Sequence, residues 1–179
     1  MDREQLAALF DQHHQHLYRL SLRMLGHPTD AEDMLQDTFL KAWRATNRGT
    51  ATPANAKAWL IRILVNCCRD KYRRRDVRKV VQTMDPTELP GGYEIEPSLV
   101  AKQTVRVALA QLEPRRRAVI IMHELESRTP ADIGAILGMA AVTVRWHLSK
   151  GRKALAKWLK NKEVTHGLSK TASTEGSSS

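Results

Sequence analysis

Residues 129–154, TPADIGAILGMAAVTVRWHLSKGRKA, constrain the fold of this chain more than any other stretch. Thr129 is an N-cap residue type, and Pro130 suits the first helical position. Asp132 falls where a first-turn acid meets the positive end of the helix dipole. Ile133, Ile136 and Leu137 then recur at helical spacing. Gly138 marks a stop, because glycine enters the left-handed region without steric cost. A short turn, residues 139–141, leads into a second helix. There Val144, Leu148, Leu155 and Leu159 are expected to face inward, and Arg145, Trp146, His147, Lys150, Arg152 and Lys153 mostly outward. Gly134 is small enough for the two helices to cross closely. This is the pattern of a helix-turn-helix, which presents a helix N-terminus to a DNA major groove. An ordinary helical hairpin with a solvated charged face would show the same local pattern.

Bulk properties narrow the choice. The 179 residues carry a net charge of +10, which suits a polyanionic partner, either nucleic acid or an anionic membrane surface. Arg62 breaks the apolar run 59–65 and His123 ends the run before it, so no membrane span is expected. The first residues, MDREQ, do not resemble a signal peptide. Cys67 and Cys68 are adjacent, which makes them poor disulfide partners and points to a reducing, cytoplasmic setting.

The periodicity is helical throughout, and the fold class is all-α. Leu6, Leu9, Phe10, Leu17, Leu20, Met24 and Leu25 outline a first helix ending at Gly26. Thr29-x-x-Glu32 has the form of a capping box opening a second helix through Ala45. Residues 47–55, NRGTATPAN, read as a loop, followed by a third helix from about Ala56 to Val77. Residues 80–97 hold four acids, no basic residue, three prolines and two glycines, and read as a flexible acidic linker. Residues 98–162 form a second helical block, and 163–179, ending TASTEGSSS, are expected to be disordered. The expected organisation is two small helical domains, 1–79 and 98–162. Each is small for independent stability, so the linker or a partner should fix their relative placement.

Charge clusters supply candidate sites. RDKYRRRDVRK, residues 69–79, interleaves Tyr72 with cations, a pattern for phosphates and stacked bases or for a solvated helix end. A second basic helix further on suggests two linked contacts on one long nucleic acid. By contrast, Asp30, Glu32, Asp33, Gln36 and Asp37, with Leu40 and Trp43, give the second helix an acidic, partly apolar face suited to protein docking. Dipole complementarity accounts for the first of these acids but less well for Asp37, Leu40 and Trp43.

On these residues the chain resembles the bacterial sigma-70 family. Residues 9–75 are similar to its second conserved region: DAEDMLQDTFLKAWRA resembles the core-polymerase-binding helix and AWLIRILVNCCRDKYRRR the promoter-melting helix. Residues 105–159 are similar to the fourth region, which reads the −35 element. The absence of a third region between them is the form of the extracytoplasmic-function (ECF) group. The resemblance implies core RNA polymerase, promoter DNA and an anti-sigma factor as partners, with no cofactor. It implies −35 contacts by Thr143, Arg145, Trp146, His147, Lys150, Arg152 and Lys153. For the melted −10 strand it implies Asn47, Arg48, Asn55, Asn66, Asp70, Lys71, Arg73, Arg74 and Arg75. The chain departs from the family pattern at Ala140, where a capping serine is usual and its loss should cost about 1 kcal/mol. It departs also at residues 129–132, usually glutamate-rich, and at 52–54, which lack the usual aromatic residue.

His13, His14 and His16 do not share one helix face, and neither cysteine nor acid completes a metal set. No Ser-His-Asp, phosphate-loop or metalloprotease pattern is present, and no enzyme or small-molecule substrate is expected. Two other readings stay open. One is a one-module DNA-binding regulator with an N-terminal sensing or dimerisation domain, and the other a membrane-surface protein.

Overall fold

The computed structural model describes residues 3–49, 54–81 and 97–172, with side chains at 4–49, 54–74 and 103–162. Among the described residues the helices are α1 (Arg3–Leu25), α2 (Pro28–Asn47), α3 (Ala56–Val81), α4 (Pro97–Ala110), α5 (Pro114–Ile120), α6 (Pro130–Leu137) and α7 (Ala141–Ala172). A π-helical turn, Ile121–Leu125, continues α5, and no strand occurs among these residues.

The first half is a bundle of α1, α2 and α3. Leu17, Leu20 and Met24 from α1 meet Ala31, Phe39 and Ala42 from α2 and Leu60, Leu64 and Cys67 from α3, all buried. These positions recur at three and four residues, which puts them on one stripe of each helix. The expected capping box at Thr29 does not form. α2 opens two residues earlier, with His27 at the N-cap and Pro28 as the first helical residue. Proline needs no hydrogen-bond partner there, and its fixed φ already suits the helix. Asn55 starts α3, its side-chain oxygen accepting from the Ala58 amide.

In the second half the capping is stronger. The Glu113 carboxylate accepts from the Arg115 and Arg116 amides and opens α5. Thr129 and Asp132 form a full capping box on α6, and Gly138 closes it at φ +68°. A Cβ on Gly134 would lie 2.5 Å from the Met139 carbonyl oxygen, so this glycine admits the backbone of the turn. Gly151 serves the helix crossing instead: a Cβ there would come within 2.8 Å of Ile120, where α7 lies on α5.

The two halves pack directly on each other and contribute to one buried cluster. α3 lies against α5 and α6, while α1 meets α4, α5 and the π turn. Contact between the halves thus sets their placement, where the sequence pointed to the linker or a partner. Of the expected linker, residues 82–96 lie outside the described residues. α7 runs on to Ala172, ten residues past the expected onset of disorder, because nothing in 163–172 breaks a helix as proline would; residues 173–179 lie outside the described set. Leu159, expected inward, is exposed.

Candidate nucleic-acid interface

The helix-turn-helix presents its second helix as expected. Val144 and Leu148 are buried against the core, while Val142, Thr143, Arg145, Trp146, Lys150, Arg152 and Lys153 are exposed. Ala140 offers no capping side chain, yet its carbonyl accepts the Val144 amide and begins the helix. Arg116 of α5 lies over the Trp146 ring at 5.4 Å. His147 is half-buried, and burial with the nearby Arg116 and Arg115 guanidinium groups holds its pKa below the ordinary value, against an opposing pull from Glu113. Arg152 is tied to Glu124 of the π turn at 2.7 Å, which fixes it along the flank of α7.

On α2, Asp33, Gln36, Asp37, Leu40 and Trp43 form one exposed stripe, spaced at three and four residues, with Glu32 beside it. Asp30 leaves the expected docking face. It is buried, and its carboxylate takes the Lys71 ammonium at 2.7 Å.

The structure divides the α3 candidates. Arg73 and Arg74 are exposed, Asn66 and Asp70 half-buried, and Asp70 lies 3.6 Å from Arg69. Lys71 is held between Asp30 and Asp33. The side chain of Arg75 lies outside the described residues. Asn47 ends α2, Arg48 caps it, and both are exposed. Asn55 is exposed but already occupied as the α3 cap. Residues 50–53, the middle of the expected loop, lie outside the described residues.

Two arginines that sequence reasoning passed over join the halves. Arg62 of α3 donates from Nε to the Ile136 carbonyl at 2.7 Å and from Nη2 to the Ala135 carbonyl at 2.9 Å. Those carbonyls lie in the last turn of α6, where partners are lacking and the dipole favours a cation. Arg117 of α5 is 1 % exposed, the largest fully buried side chain among the described residues. It donates to the Met24 carbonyl and the Tyr72 hydroxyl in the first half, and to the Ala110 and Leu112 carbonyls in its own half. Among the described residues none of these acceptors is a carboxylate, and Nε has no partner. Removing an ion from water costs several kcal/mol. Hydrogen bonds to a charged donor return about 1.5–3 kcal/mol each, so this junction is a near balance. Glu126 adds a third contact, accepting from His16 at 3.1 Å and facing Arg23 at 4.0 Å. One signal for Arg62 was available: it is a lone charge inside an otherwise apolar seven-residue run.

A buried bundle followed by a basic helix-turn-helix defines an all-helical DNA-binding protein with two modules. Comparison with known proteins refines this. The Sigma-70 region 2 model matches residues 9–78, and the Sigma-70, region 4 model matches 102–155. The chain is 33% identical over 162 residues to the ECF RNA polymerase sigma factor SigL of Mycobacterium tuberculosis, covering 89% of this chain and 92% of that one. It is 33% identical over 156 residues to SigE of Mycolicibacterium smegmatis, covering 84% of this chain but only 60% of that protein's length. The fold is similar to the sigma factor RpoE of Bartonella quintana, solved with the anti-sigma factor NepR, at a TM-score of 0.66 and 25% identity, covering 88% of this chain and 98% of that one. The chain belongs to the ECF sigma factors of the sigma-70 family.

Proposed function

We propose that this chain binds core RNA polymerase through the α2 stripe of Asp33, Gln36, Asp37, Leu40 and Trp43 and directs it to a set of promoters. The exposed face of α7 then reads the −35 duplex. Arg145 is the candidate for a bidentate base contact, and Lys150 and Lys153 for phosphates. The exposed end of α3, with Arg73 and Arg74, holds the melted −10 strand, where a flipped base costs a few kcal/mol of unstacking. The observation that carries this reading is the capped helix-turn-helix whose second helix exposes Arg145, Trp146 and Lys150 together. The acidic stripe of α2, in a chain of net charge +10, supports a protein partner on the opposite module.

The chain would act where RNA polymerase does, in the cytoplasm. An anti-sigma partner is part of the reading, supported by the similar RpoE, which was solved with one. No catalysis is assigned. Run-off transcription with core polymerase on genomic fragments tests the reading. Promoter-specific transcripts that require this chain are expected, and their absence, with no co-purification of core polymerase, would favour a one-module regulator.

A further inference from the structure

The first two turns of α7 leave two large apolar side chains in the open, Val142 at 65% and Trp146 at 51% exposure. They are four residues apart and so share one face of the helix. A helical side chain leans toward the N-terminus of its helix, so the indole covers the turn that carries Val142. The result is an apolar patch near the tip of the helix-turn-helix. Trp146 is held there by its neighbours. The Arg116 guanidinium lies over its ring at 5.4 Å, and the His147 ring meets it nearly at right angles, 4.9 Å between centroids. Gly151 leaves room for that arginine: a Cβ at the glycine would lie 3.3 Å from Arg116 Cγ. Cations rim the patch. Arg145 and Lys150 are exposed on the same helix, and the Arg115 and Arg116 guanidinium groups lie close to His147.

A surface apolar at its centre and cationic at its rim fits an anionic partner that carries an apolar group of its own. The DNA major groove offers one such substituent, the C5-methyl group of thymine, among hydrogen-bond donors and acceptors. Against a guanine or cytosine edge the same patch would take polar groups out of water without returning their hydrogen bonds, which costs free energy. We propose that Val142 and Trp146 together receive a thymine methyl group and make thymine, at one or two positions of the duplex, a determinant of promoter choice. The inference rests on the reading of α7 as the duplex-binding helix, and adds to it the base selected and the side chains that select it. Arg145 keeps the separate work of hydrogen bonding to a base edge, and the rim cations that of meeting phosphates.

The test uses the full chain, alone and with core polymerase, on a library of randomised DNA duplexes. Each thymine of a retained duplex is then replaced singly by deoxyuridine, which keeps the hydrogen-bonding groups and removes only the methyl. Affinity is read by fluorescence anisotropy. One or two positions are expected to lose about 4-fold, the worth of one buried methyl group. Trp146→Ala should bind the thymine duplex and its deoxyuridine counterpart equally. Arg145→Ala should weaken both alike and keep their ratio. If Trp146→Ala lost helicity by circular dichroism, Val142→Ser, at the more exposed position, carries the same test. A retained duplex without a methyl-sensitive thymine would overturn the proposal, as would a methyl effect that survives both variants, or retention of no sequence in either condition. Unchanged DNA binding by Trp146→Ala with loss of polymerase binding would also overturn it, by assigning the patch to a protein. Run-off transcription judges the sigma-factor reading separately: methyl-sensitive duplex binding by a chain that supports no transcription would remove that reading and keep the thymine contact.

Discussion

The Lys71 ammonium lies 2.7 Å from the Asp30 carboxylate and 3.1 Å from Asp33, tying the proposed DNA-contacting helix α3 to the proposed docking helix α2. Burial pulls the Lys71 pKa down, but hydrogen bonds to Asp30 and Asp33 outweigh it and hold the pKa above its ordinary value. Lys71 therefore stays charged throughout the neutral range, and its contribution to stability is lost only as pH rises through that elevated pKa. Asp30→Asn, at the buried partner, should cost about 1–2 kcal/mol, between the values for exposed and buried pairs. Asp33→Asn, at the exposed partner, should cost less than about 0.5 kcal/mol. Urea denaturation of the two variants decides it, and equal losses would show that Asp33 is as much an anchor as Asp30.

Because Asp33 also holds Lys71, the clean test of docking lies further along α2. Asp37→Arg with Trp43→Ala alters the exposed stripe and leaves the Lys71 contacts in place. Holoenzyme formation on a sizing column should be lost while thermal stability stays within about 0.5 kcal/mol, as for surface substitutions generally. Undiminished holoenzyme would remove the stripe from the docking surface.

Arg145→Ala should weaken binding to a cognate −35 duplex by roughly 1–3 kcal/mol and relax preference at one base pair. Lys157→Ala, exposed on the same helix but further from its N-terminus, should change affinity little. Titrating both variants against cognate and scrambled duplexes separates base reading from charge; identical, sequence-independent losses would leave α7 only an electrostatic role.

Acid should loosen the contacts at Glu126. Burial raises its pKa, but hydrogen bonds from His16 and Arg128 and their charges outweigh this and hold the carboxyl below its ordinary value of 4.5. Arg23 also faces it. A depressed carboxyl stabilises the fold above the unfolded value, and that stability is lost as pH falls through the folded one. Melting temperature should therefore drop as pH goes from about 5 to below 4, and Glu126→Gln should flatten that part of the curve. A wild-type slope that survives the substitution would place the acid sensitivity elsewhere.

What the sequence disclosed depended on how local the determining contact was. Thr129, Pro130 and Gly138 did what their types predict, because caps and left-handed turns are decided within four residues. The Thr29 box failed within the same range, because Pro28 offered a start two residues earlier. The exposed stripe from Asp33 to Trp43 was legible as periodic spacing. Asp30 was not separable from its acidic neighbours, since its burial depends on Lys71, a residue 41 positions on. Arg117 sat in a run of three arginines that reads as a solvated helix start. Its burial follows from α5 settling against Met24 and Tyr72, which no window of sequence around it contains. For Gly151 the reason lay in Ile120 of a neighbouring helix.

That last contact gives α7 a mechanical character. The helix is one piece of 32 residues, about 48 Å long. It rests on Ile120 at Gly151, about 12 Å from Thr143 and about 17 Å from Lys162, whose ammonium holds the Thr104 hydroxyl of α4. The two ends of this rod are thus held by different neighbours, the tip by α6 through Val144 and Leu148 and the far arm by α4 through Lys162, so one unbroken helix links the exposed Arg145 face to the opposite side of its own half.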